Sequence, residues 1–124
     1  IGVSNVGAKV AILGLAFKEN CPDLRNTKVI TIIERLKYYQ CQVIISDEWV
    51  DPDNAKNIYD IDLIDLKDIK NQDAVIIAVG HQKYFGFSST DWDRMFNSKG
   101  VLTDVKSIYD KNYFSDTNIK HWRL

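Results

Sequence analysis

Four short apolar runs punctuate this chain, and they leave little choice of fold class. They are Val10-Ala11-Ile12-Leu13, Val43-Ile44-Ile45, Ala74-Val75-Ile76-Ile77-Ala78-Val79 and Val101-Leu102-Thr103. All are rich in β-branched residues and show almost no polar alternation, the pattern of strands covered on both faces. Between the first two runs Val29, Ile30, Ile32, Ile33 and Leu36 recur at helical spacing, with Lys28, Glu34, Arg35 and Lys37 on the polar side. Asn26 or Thr27 stands where a helix cap belongs. Asp51-Pro52-Asp53 reads as a turn or helix entry, residues 63–69 as a short helical turn, residues 92–96 as a short helix and residues 119–124 as an edge strand. Strands alternating with helical segments of this length need crossover connections. The expected architecture is α/β: a doubly wound, mainly parallel, Rossmann-like sheet with helices on both faces and the four apolar runs at its centre.

A chain of 124 residues suits one domain, residues 1–124, with a core that needs neither disulfide nor metal. A formal net charge of −1 provides no bulk basic field for nucleic acid. No apolar run approaches the roughly 18 residues of a membrane span. Residues 1–6 have neither a basic region nor a long apolar stretch, so no secretory signal is expected. Cys21 and Cys41 have no neighbouring His ligands and fit neither a zinc site nor a disulfide framework. Reduced, cytoplasmic thiols and no bound metal are the expectation. Because the chain opens just before a strand, it is expected to be a piece of something longer.

The chemistry concentrates in residues 10–27, VAILGLAFKENCPDLRNT. A strand, a turn with cationic side chains and a helix is how α/β domains meet phosphate-bearing ligands at the carboxyl ends of strands. Gly14 is followed by Leu15, Ala16 and Phe17, so the second and third glycines of a dinucleotide fingerprint are missing. Side chains must meet the anion instead: Lys18 as a point charge and Arg25 as a planar fork. The alternative is that both are solvated loop residues, with Arg25 paired to Asp23. Phe17 reads either as a stacking surface or as core, and Asp47 as a strand-end carboxylate rather than a ribose acid. His81 reads as structural, with acid–base work the alternative, and Cys21 as an inert loop thiol rather than a reactive one. Other loops on the same edge carry Trp49, Lys83, Tyr84, Asp104 and Lys106. No nucleophile with an orienting base is evident, so no catalytic residue is assigned.

These residues together are familiar. Gly14-Leu15-Ala16-Phe17-Lys18 followed by Asp23-Leu24-Arg25-Asn26 closely resembles the C-terminal domain of the nucleotide-sugar 6-dehydrogenases, the UDP-glucose/GDP-mannose dehydrogenase family. Further matches are Ser46-Asp47-Glu48-Trp49-Val50, residues 74–81, residues 101–106 and the terminal Trp122-Arg123-Leu124. The combined FKENCPDLRNTKV signature resembles the branch acting on UDP-N-acetylhexosamines for capsule or O-antigen synthesis.

The resemblance implies an enzyme that oxidises a sugar C6 alcohol to a carboxylate with two NAD, through a thiohemiacetal and a thioester on a cysteine. It further implies an N-terminal NAD-binding domain, a central helical segment that dimerises and supplies that cysteine, and a C-terminal domain that covers the UDP-sugar. By position Phe17 and Lys18 would contact the substrate, and Arg25 would reach the cofactor across the cleft. Lys106 stands where UDP-glucose enzymes have an arginine in Asp-Gly-Arg. Here the triplet is Asp104-Val105-Lys106, which keeps the charge and loses the fork. Gly80-His81-Gln82 replaces the family's Thr-Glu-Trp. Cys21 does not match the nucleophile's motif, so the chain alone is expected not to turn over. The alternative from another class is a free-standing α/β binding or regulatory module that has lost the ligand.

Overall fold

The computed structural model describes residues 7–123; residues 1–6, read above as lacking a secretory signal, and Leu124 lie outside them. The elements run β1 Lys9–Leu13, α1 Val29–Tyr38, β2 Gln42–Ser46, α2 Pro52–Tyr59, β3 Gln72–Ile77, α3 Ser89–Met95, β4 Phe96–Asp104 and β5 Ile119–Arg123. Short 3-10 turns at Leu66–Asp68 and Gln82–Gly86 precede β3 and α3. The strands form one sheet in the order β2-β1-β3-β4-β5, every neighbouring pair parallel. The chain builds outward from β1 to β2, then crosses to β3 and continues outward. The reversal falls between β1 and β3, which is where open parallel sheets of this order bind ligands.

Alternation along the strands divides the core in two. Ala11, Leu13, Val75 and Ile77 join Tyr84, Phe87, Trp92 and Met95 on one face. Ile12 faces the other way, against Val29 and Ile33 of α1 and Ala55 of α2. Each fully buried aliphatic of this size contributes on the order of 1.5–3 kcal/mol. Helical segments on both faces are what the unbroken apolar runs require.

Local chemistry fixes the boundaries. The Asp51 carboxylate accepts from the Asp53 amide and Pro52 opens α2, so the expected helix entry is real. Ser88 and Asp91 form a reciprocal capping box at α3. At α1 the cap position falls on Lys28, which offers no side-chain hydrogen bond. The Thr27 hydroxyl instead accepts from the Val29 amide at 3.2 Å, and Asn26 takes a left-handed turn at φ 58°.

Three expectations are corrected. The Val43-Ile44-Ile45 run is not central: β2 is an edge strand, and only Ile45 of the three is buried. The third run starts as a strand at Gln72 and ends at Ile77, with Ala78 and Val79 buried beyond it. Phe96, expected to end a helix, opens β4, where the register shifts beside β3 between Gln72 and Ala74. Gly100 lies in that irregular stretch, and a Cβ there would overlap the Phe96 ring. The edge strand expected at residues 119–124 is β5, in parallel register with β4.

Candidate functional site at the carboxyl edge

The turn after β1 is held by its own backbone donors. The Gly14 amide donates to the Ser46 carbonyl at 2.8 Å. The next two amides, Leu15 and Ala16, donate to one oxygen of Asp47 at 2.7 and 2.9 Å. In a glycine-rich loop such amides face a bound anion. Here a buried carboxylate of the chain itself occupies them. The turn therefore does not fit the pyrophosphate of a dinucleotide, and an anion at this edge has to be met by side chains.

Asp47, at the carboxyl end of β2, also accepts from the Trp49 amide at 2.9 Å and from His81 Nε2 at 2.9 Å. The side chains of both Asp47 and His81 are fully buried. The Asn20 amide donates to His81 Nδ1 at 2.8 Å, so that nitrogen carries no proton and the ring's hydrogen sits on Nε2, aimed at Asp47. Burial by itself would raise the Asp47 carboxyl. Hydrogen bonds from His81, Leu15 and Ala16 outweigh it and hold the group below the usual aspartate range. With both ring nitrogens engaged inside the protein, His81 has the structural place that its sequence context suggested, and Asp47 is a strand-end carboxylate.

Between these anchors the loop turns outward. The Phe17 amide donates to the Asp23 carbonyl at 2.7 Å, the Tyr59 hydroxyl donates to the Leu24 carbonyl at 2.9 Å, and Asn20 is left-handed at φ 54°. Phe17 is 52% exposed, and Lys18 and Glu19 are also exposed. Arg25 is exposed as well, but its Nε and Nη2 already grip Asp23 at 3.1 and 3.0 Å. That contact holds the Asp23 carboxyl at about 2, with Lys18 adding attraction. The pairing weighed from sequence exists, and it leaves Nη1 and one Nη2 hydrogen of Arg25 available. Cys21 is half-buried in the same loop and forms no disulfide with Cys41.

The fourth loop repeats the device on the other side. Asp104, fully buried at the end of β4, accepts from the Ile108 and Tyr109 amides, each at 2.9 Å, and from His121 Nε2 on β5 at 3.2 Å. This fixes the turn that presents Lys106, exposed and close to the end of β3: a Cβ on Gly80 would lie 3.7 Å from the Lys106 Cβ. Lys83 is paired with Glu48 at 3.0 Å. Lys18 and Lys106 make no ion pair among the described residues. The edge therefore offers two exposed lysines that make no ion pair among the described residues, together with exposed Phe17, Trp49 and Phe85.

Tyr84, grouped with this edge by sequence, is buried, and burial pushes its phenol far above the ordinary value. Burial also pushes the Tyr109 phenol up to about 12, and its hydroxyl donates to the Tyr84 carbonyl. Neither is an acid at neutral pH. The paired roles of Asp104 and His121 were not foreseen. The available signal was an aspartate closing an apolar run with amides a few residues on, an Asx-type arrangement that Asp47 shares.

A cavity of about 440 Å³ opens at the end of β2, lined in part by Asp47, Glu48 and Lys83. A larger one, about 840 Å³, lies at the amino-terminal edge among Trp92, Phe96, Phe114, Asp93 and Asp116. No Lys or Arg lines the larger cavity, so its electrostatics oppose a diphosphate. Among the described residues no helix is long and apolar enough to cross a membrane, and no group of three His, Cys, Asp or Glu is placed to hold a metal ion.

Known proteins resemble the chain in both sequence and fold. The chain is 42% identical over 123 residues to protein CapL of Staphylococcus aureus, covering 99% of this chain and 28% of that protein. It is 41% identical over 109 residues to the UDP-N-acetyl-D-glucosamine 6-dehydrogenase of Salmonella typhi, covering 86% of this chain and 25% of that enzyme. The chain thus spans about a quarter of the length of these curated relatives. In fold it is similar to the NDP-N-acetyl-D-galactosaminuronic acid dehydrogenase of Methanosarcina mazei, with a TM-score of 0.85 at 23% identity over 99% of this chain and 26% of that one. Residues 11–111 match the model of the UDP-glucose/GDP-mannose dehydrogenase family's UDP-binding domain, and the chain belongs to that family.

Proposed function

We propose that residues 1–124 form the substrate-binding C-terminal domain of an NAD-dependent nucleotide-sugar 6-dehydrogenase. In this reading the full-length enzyme oxidises the C6 alcohol of a UDP-N-acetylhexosamine to the uronic acid, in the cytoplasm, for surface polysaccharide such as capsule. The observation that carries it is the two exposed lysines, Lys18 and Lys106, that make no ion pair among the described residues, on an edge where Asp47 already occupies the Leu15 and Ala16 amides. Such an edge suits a diphosphate met by ammonium groups, with Phe17 offering an apolar face to the base or sugar. The relatives named for N-acetylhexosamine substrates support the choice of sugar.

Each residue has a distinct task. Lys18 and Lys106 neutralise phosphate charge or hold a sugar hydroxyl, and the buried His81–Asp47 pair holds amides of the loop that carries Lys18. NAD is the oxidant that the reading requires. The β1–α1 turn does not fit it, so Arg25 is the residue of this chain proposed to touch it, through the guanidinium hydrogens that Asp23 leaves available. The remaining partners are the NAD-binding and central segments of the same protein, in a homodimer.

The test is turnover of the full-length protein with a panel of UDP-sugars, following NADH. Oxidation of UDP-N-acetylhexosamines ahead of UDP-glucose is expected. A full-length protein that reduces no NAD with any UDP-sugar would remove the reading.

A further inference from the structure

Asp47 directly follows β2 and His81 lies four residues beyond β3, the two strands that flank β1. Their side chains meet over the carboxyl end of β1 at 2.9 Å, fully buried. Besides the Trp49 amide, which Asp47 takes from its own loop, the pair accepts three amides from the β1–α1 loop. Asp47 takes the amides of Leu15 and Ala16, where the loop leaves the strand. His81 Nδ1 takes the amide of Asn20, where the loop returns. The return is locked a second time, because the Asn20 side-chain oxygen accepts from the Gln82 amide at 3.0 Å. Phe17, Lys18 and Glu19 are the three residues between the anchors, and all three point to solvent.

We propose that His81, with Asp47, is a positioning residue for substrate binding: the pair clamps both feet of the loop that presents Phe17 and Lys18 to the nucleotide sugar. This rests on the substrate-binding reading above. The chemistry of the pair suits the task. A carboxylate gathering several donors and a neutral imidazole used at both nitrogens form a closed polar network in a dry site, which is rigid because each partner left alone would be buried and unsatisfied. A misplacement of about 1 Å in a group that contacts substrate can cost a factor of about 100. The clamp thus controls affinity without touching the ligand.

The two ring nitrogens can be tested separately in the full-length enzyme. A glutamine amide can reach the Nε2 position and keep the donor to Asp47, but it leaves the Asn20 amide without its acceptor. An asparagine oxygen can stand in for Nδ1 and keep Asn20, but it loses the bond to Asp47. Both His81→Gln and His81→Asn should raise KM for the UDP-sugar about tenfold and His81→Ala further, with kcat changed less than about threefold, as expected for lost positioning in binding. Met95→Ala, which destabilises the core under α3 far from this edge, should lower the melting temperature comparably and leave KM within about twofold. Unchanged KM in folded His81 variants, or a loss of kcat alone, overturns the proposal.

A second measurement needs neither variant nor substrate. In the unmodified protein the amides of Leu15, Ala16 and Asn20 should exchange at least about tenfold slower than those of Lys18 and Glu19. Uniform exchange along the loop overturns the clamp. An unmodified enzyme inactive on every UDP-sugar, yet showing this exchange pattern, leaves the clamp standing and removes only the substrate reading.

Discussion

Gly14 and Val79 are in such close approach that a Cβ on the glycine would stand 2.6 Å from the valine Cβ and 2.9 Å from its backbone nitrogen. Gly14 also has φ +102°, a conformation that a side chain disfavours. The two residues lie just beyond β1 and β3, so this contact sets how closely the chain segments meet at the switch point. Gly14→Ala should therefore destabilise the chain by about 3 kcal/mol, combining overpacking with backbone strain. A thermal melt should fall by roughly 10 °C. A shift under about 2 °C would show that the contact relaxes freely.

Lys18→Ala in the full-length enzyme removes an exposed ammonium and should leave the melt unchanged. Loss of a charge-assisted contact to an anion should cost about 1.5–3 kcal/mol, one to two decades in kcat/KM for the UDP-sugar. Arg25→Ala should act mainly on NAD dependence. Steady-state kinetics of both variants decide, and an unchanged kcat/KM in folded Lys18→Ala would remove Lys18 from the site.

The isolated chain should produce no NADH with any UDP-sugar and bind NAD weakly or not at all. Its β1–α1 amides are already occupied by Asp47. Calorimetric titration with NAD and a coupled assay on the purified chain test this directly. Measurable turnover would refute it.

Acid should weaken the fold through Asp47. Its carboxyl lies below the ordinary value in the folded state. Its stabilisation is therefore fully present above the unfolded aspartate pKa of about 3.9 and is lost as the pH falls through the lower folded value. Asp47→Asn should cost about 3 kcal/mol at neutral pH, since several donors lose a charged acceptor. The gap between variant and parent should narrow below about pH 4. Urea unfolding across pH measures it, and a pH-independent gap would contradict the charge argument.

Asp104→Ala should strip the acceptor from Ile108, Tyr109 and His121 together. Three donors without partners, one buried and two partly buried, should cost about 3–5 kcal/mol and free the turn that carries Lys106. Hydrogen exchange should rise at residues 105–109 and along β5 before it rises in β1. Protection retained in that turn would show that Asp104 does not hold it.

Much of the fold was legible because a parallel strand covered on both faces needs no polar alternation, so residues 10–13, 74–79 and 101–103 announce themselves. The helix pattern at α1 and the entry at Pro52 were equally local. The place of β2 was not legible: Val43-Ile44-Ile45 has the composition of a central strand, yet it lies at the edge. Strand order depends on which crossover packs against which face, and no window of residues contains that. The candidate site divides in the same way. A turn without the glycine fingerprint and with exposed cations could be read from residues 14–25. Its shape is decided by Asp47 and His81, which lie 31 to 61 residues further along the chain from the amides they hold. Local sequence sets which donors exist; only the packed sheet decides which acceptors reach them, because those acceptors lie just beyond the neighbouring strands.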